Sequence, residues 1–183
     1  MKRTKRRISE SVARLSIYFV LASFLGHWLE IAVQLWLRLI GSEETSFGIG
    51  QQPLEPYPVY GIAVVAMVAL WQMLPEKMRK NIGLAFIFLT GVCVLAEYFV
   101  GRIAIWWFGH NPFWSYLDKP FNLHGLVSLQ NAILFGIAAT LFMFLVYPWI
   151  EKLLDRWSRR VLWIVAVVAL VVFWLCQLTF GVW

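Results

Sequence analysis

Charged side chains are scarce. Asp, Glu, Lys and Arg make up 14% of the 183 residues, and only ten are acidic. A soluble domain carries about a quarter of its residues as charges, and a disordered chain usually more. Both classes are therefore excluded. Cysteine is nearly absent. Cys93 and Cys176 fall in apolar runs, which suits small packing residues and excludes a disulfide-stapled scaffold. No G-x-x-x-x-G-K-[ST] occurs, so the chain has no phosphate-binding loop for ATP. No H-E-x-x-H and no cysteine cluster occurs, and no G-x-S-x-G accompanies Ser23 and His27. Neither a cofactor nor a metal is called for. A metal held by His27, Glu30, Glu97 and His124 would need the loop carrying His124 to dip inward.

Apolar residues are abundant instead, at 61% with 11 Trp and 14 Phe. They gather in five runs, at about 15–39, 57–74, 82–107, 126–147 and 161–180. Each is near the ~20 residues that carry a helix across a bilayer. The runs do not alternate and are too long for barrel strands. The expectation is an all-α integral membrane protein, one five-helix transmembrane bundle over 1–183. The basic MKRTKRR segment resembles the start of a signal peptide, but its apolar run is long, carries His27 and Glu30, and shows no A-x-A site. An uncleaved first span is expected.

Thirteen of the sixteen Lys and Arg fall in 1–14, 77–80 and 152–160. The positive-inside rule then places the N-terminus in the cytoplasm and the C-terminus outside. A bacterial cytoplasmic (inner) membrane is the expected location. The net charge of +6 flanks the spans, so the partner it implies is a bilayer with anionic headgroups rather than nucleic acid.

Two acids lie inside these runs. Glu30 and Glu97 each sit fifteen residues from the expected cytoplasmic end of their run, about 22 Å deep at ~1.5 Å per residue. Carboxylates in hydrocarbon are expensive and are functional by default. Span 1 carries Ser16, Ser23, His27, Glu30, Gln34 and Arg38 on one helical face, and span 3 carries Thr90, Cys93, Glu97 and Gly101 on another. Gly26 permits a close helix approach there. Span 4 opens with Ser128, Gln130 and Asn131. One shared polar site is expected from Glu30, Glu97, His27, Gln34, Asn131 and Asn122. The alternative is structural: both glutamates bonded to Gln34, Asn131 or Arg102 as helix glue, with His27 as a partner of Glu30. The loop 40–56 is polar and acidic. The loop 108–125, with Trp114, Tyr116, His124 and nearby Arg102, is rich enough in aromatics to pack as an outer cap.

The region around that cap resembles a known family. Trp114-Ser115-Tyr116, Pro120-Phe121-Asn122-Leu123 with Gly125, Leu129, Phe135-Gly136 and Pro148 are similar to a pattern W-D-Y, P-F-N-[IL]-x-G, W-G and a proline at the helix end. Gly26-His27-Trp28-Leu29-Glu30, Pro56-Tyr57-Pro58-Val59-Tyr60-Gly61 and Glu97-Tyr98 match its other motifs. The pattern is that of the ABC-transporter type IV family of bacterial membrane proteins, and the resemblance covers 20–150. Ser115 stands where the family has aspartate, with Asp118 nearby, and Leu54-Glu55 replaces a G-P step. The resemblance implies a small permease-like membrane subunit; if transport is ATP-driven, the missing phosphate-binding loop puts the ATPase on a separate subunit, and a homo-oligomer is the other partner considered. It names no ligand.

Three functions are compatible with these residues. The first is a permease-like transport component whose glutamates bind a cation, a proton or a small polar substrate. The second is an accessory scaffold whose polar stripes hold helices together. The third is an intramembrane enzyme acting on lipid or envelope precursors, with Glu30 or Glu97 as the acid–base group.

Overall fold

The computed structural model describes residues 2–39, 53–111 and 114–180, without the side chains of 2–7, 33–34 and 36–38. Each of the five apolar runs holds a helix, though the fourth becomes helical only at Leu129, its first residues 126–128 forming a turn and a strand. The helices are α1 (Lys2–Leu39), α2 (Pro58–Met73), a short α3 (Glu76–Lys80), α4 (Ile82–Phe108), α5 (Leu129–Leu141), α6 (Tyr147–Leu154) and α7 (Arg159–Phe180). Among the described residues, four stretches are long and apolar enough to cross a membrane: Ile8–Ala32, Ile82–Phe108, Leu129–Leu154 and Arg159–Phe180. The fifth, α2, has 16 residues. At ~1.5 Å per residue that is about 24 Å, short of the ~30 Å hydrocarbon core.

Local chemistry sets the helix ends. Asn81 caps α4, its side-chain oxygen accepting from the Leu84 N–H, and Gly109 ends the helix at φ 78°, a left-handed conformation that glycine adopts without Cβ strain. Ser128 caps α5 by accepting from Asn131 N–H. Pro58 occupies the first position of α2, where its missing N–H leaves no bond unmade. α1 extends back to Lys2, beyond the apolar run. Lys and Arg are good helix formers, and Ser9 is tied to α7 by Arg159 and by the Trp163 indole, both at 3.0 Å.

The run expected to end near Pro148 continues instead to Leu154. Between α5 and α6 the chain makes a π-helical turn, Phe142–Val146, where the Tyr147 N–H bonds to the Phe142 carbonyl. Pro148 in a regular α-helix would clash with the carbonyl four residues back and leave it unpaired. The widened turn just before it lets the helix pass.

The chain forms two compact units. One comprises the described parts of 2–39, 53–66 and 149–180, the other 67–111 with 114–148. In the first, α1 packs on α7, with Ala13, Ile17, Leu162 and Ala166 buried and Phe19 edge-on to Phe173 at 5.0 Å. In the second, α4 packs on α5, with Ala85, Leu89, Ala132 and Ala139 buried. Gly136 is tight against Thr90 and Phe86. Much of the remaining helix surface exposes Leu, Ile, Val and Trp, as a lipid-facing surface does. Most of the polar loop 40–56 lies outside the described residues.

Candidate functional site

In the first unit, the polar face of α1 meets the segment leading into α2. The Ser23 hydroxyl donates to the Phe19 carbonyl at 2.8 Å, while the Ser23 carbonyl accepts the Tyr57 N–H at 3.0 Å. The Trp28 indole donates to the Pro53 carbonyl at 2.6 Å. Residues 53–60 are thus strapped along α1. Gly26 makes the approach possible, because a Cβ there would lie within 2.6 Å of Tyr60 Cβ. Tyr60 can then reach Glu30, one helical turn past Gly26, and donates to Oε2 at 3.1 Å. His27 is fully buried against the Tyr57 ring, with centroids 4.3 Å apart. The side chain of Gln34, also expected at this site, lies outside the described residues.

In the second unit, Glu97 on α4 accepts from the Tyr116 hydroxyl at 2.8 Å through Oε1. Its Oε2 is buried with no hydrogen-bond partner among the described residues. One turn on, Gly101 faces Leu126, whose Cδ2 a Cβ would meet at 2.8 Å. The cap therefore lies directly on α4. Within it, β1 (Asn122–Leu123) and β2 (Val127–Ser128) form a short antiparallel hairpin, pairing Asn122 with Ser128 and Leu123 with Val127. Tyr98 and His124 Nδ1 share a hydrogen bond of 3.0 Å. The Trp114 indole donates to the Leu126 carbonyl at 2.9 Å.

The expected site residues are thus distributed. Glu30 and His27 belong to one unit. Glu97, Tyr116, His124 and Trp114 cluster in the other. Asn122 is engaged by its own loop: its amide donates to the Lys119 carbonyl at 2.8 Å, and its side-chain oxygen accepts the Gly125 N–H at 2.9 Å. Asn131 is half-buried in the first turn of α5, and Arg102 is exposed on α4. Among the described residues, no three His, Cys, Asp or Glu side chains are close enough to hold a metal. Sequence reasoning did not pair Tyr60 with Glu30 or Tyr116 with Glu97. A usable signal was present in Gly26, which marks where an aromatic side chain can cross close to α1.

Chemically, both sites are alike. A half-buried carboxylate in an apolar helix takes one phenol hydrogen bond from a residue outside that helix. Glu97 retains an acceptor oxygen for a proton, a cation or a donor group.

Four long apolar helices with carboxylates set among them define a multi-pass helical membrane protein. Within that class the chain belongs to the family described as Putative ABC-transporter type IV, which matches residues 17–180. That membership marks it as a transport-related membrane component. No curated protein and no solved structure matches it.

Proposed function

We propose that the chain is a permease-like subunit of the bacterial cytoplasmic membrane in which Glu30 and Glu97 carry a cation, a proton or a small polar substrate. The observation that carries this reading is the buried Oε2 of Glu97. A carboxylate oxygen removed from water and left without a donor is costly, and a transported cation or proton would satisfy it. Tyr60 and Tyr116 hold the two carboxylates in place, and the 114–128 hairpin covers the Glu97 site. His27 belongs to the polar face beside Glu30, and Gln34 follows Glu30 at helical spacing in the sequence.

The accompanying topology is five spans with the N-terminus inside and the C-terminus outside. It draws support from Arg14, whose guanidinium donates to Glu151 at 2.7 Å and to Asp155 at 2.5 Å. These bonds bring the N-terminal basic segment and the 151–160 connection to one end of their unit, as a common cytoplasmic side requires. A separate ATPase subunit supplies the energy in this reading, since the chain has no phosphate-binding loop.

A second reading has its own support. Both tyrosine–glutamate bonds join segments distant in sequence, so the same atoms fit a scaffold held by polar glue. The two readings separate in Glu30→Gln and Glu97→Gln, which keep size and hydrogen bonding but cannot ionise. Cells lacking the endogenous protein are complemented with each variant, and depletion of small polar solutes from defined medium is profiled. Transport predicts loss of the solute change with each variant while melting in detergent stays near wild type. Unaltered profiles would favour the scaffold.

A further inference from the structure

The 67–148 unit contains a groove of about 340 Å³ that the carboxylate sites do not use. One wall is formed by Glu76, Arg79 and Lys80 of α3. The floor is the π-helical turn and its exit, with Met143, Phe144 and Tyr147, and Trp71 closes the side, edge-on to Phe144 at 5.7 Å. Gln72 donates to the Tyr147 hydroxyl at 3.2 Å and fixes it nearby.

The basic wall is only partly neutralised from within, which leaves the charge of Arg79 uncompensated. Glu76 pairs with Lys80 at 2.6 Å. Arg79 Nε is buried and has no hydrogen-bond partner among the described residues. The guanidinium lines the groove with its charge uncompensated, and Arg suits the two oxygens of a phosphate. Free phosphate would use only this wall. The aromatic and methionine floor calls for an apolar extension on the same ligand. The groove also lies where the apolar α2 gives way to the basic stretch 77–80, the level at which lipid headgroups meet Lys and Arg.

We propose that this groove binds the phosphate headgroup of an anionic phospholipid, the phosphate against Arg79 and Lys80 and the first acyl carbons along Phe144 and Tyr147. The site is independent of the transport reading.

The test uses the full chain in mild detergent. Dihexanoyl phosphatidylglycerol, dihexanoyl phosphatidylcholine and inorganic phosphate are titrated, with melting temperature and native mass spectrometry as readouts. Phosphatidylglycerol is expected to bind and raise the melting temperature, and the other two probes are not. Arg79→Gln and Lys80→Gln should each weaken binding about fivefold, the share of one basic side chain near an anionic headgroup. Lys77→Gln removes the same charge from an exposed residue that does not line the groove, and should change nothing. If Arg79→Gln fails to fold, the exposed Lys80 decides against Lys77. Equal binding of phosphatidylcholine, or equal weakening by Lys77→Gln, would overturn the site. Inorganic phosphate binding as tightly as phosphatidylglycerol would overturn its assignment to a lipid.

Discussion

At the scale of single residues, the candidate sites depend on small side chains as much as on acids. Gly26 admits the Tyr60 ring, so Gly26→Ala forces a Cβ into it. The expected cost is about 1–3 kcal/mol, typical of overpacking, and a lower melting temperature in detergent is the readout. Melting unchanged by that substitution would mean Tyr60 does not lie against α1. Arg14 offers a second check. Arg14→Glu places like charges beside Glu151 and Asp155 and should lower stability. Adding Glu151→Arg should recover part of the loss, whereas a structure without this pair would show two additive losses. Glu30 and Glu97 were legible in the sequence because an acid in an apolar run stands out against its cost. Their tyrosine partners were not. Tyr60 lies 30 residues from Glu30, and Tyr116 lies 19 from Glu97. Helical periodicity shows which face a residue occupies and is silent about what arrives there from another segment.

At the scale of elements, the hairpin that covers Glu97 is the most specialised piece. Phe121 and His124 both have positive φ, at 53° and 55°, and Gly125 follows at 67°. A Cβ on Gly125 would come within 2.7 Å of Leu117 as well as straining the backbone. Gly125→Ala should therefore loosen the hairpin, seen as faster proteolysis within 114–128. Phe121 is 83% exposed. Phe121→Asn should keep or raise stability, since asparagine tolerates the left-handed region, where most side chains cost about 1–2 kcal/mol. If transport fails while melting is preserved, the exposed ring has a role in the pathway. A clear drop in melting temperature would contradict the strain argument. The packed cap was foreseeable from its aromatics, but its two-residue strands were not, being far too short for any periodicity. Pro148 misled for a related reason. Proline commonly stops a helix, and only the π-helical turn before it reveals that this helix continues.

At the scale of the whole molecule, hydropathy made the five helices readable, because an apolar run of that length has few alternatives. The division into two units was not readable, since the first joins 2–39 and 53–66 to 149–180 across the whole of the second. Topology is open to direct measurement: a reporter fused after Trp183 should read as outside and one within 151–160 as cytoplasmic. A cytoplasmic signal after Trp183 would contradict five spans. The central claim, that the carboxylates of both units serve one transport cycle, is tested most directly by the Glu30→Gln, Glu97→Gln double variant. Solute profiles of cells expressing it are compared with wild type and each single variant, beside detergent melting of the same proteins. The account predicts that either substitution alone abolishes the solute change and that the double variant adds nothing further, with melting nearly intact. A double variant that restores the wild-type profile in full would contradict it.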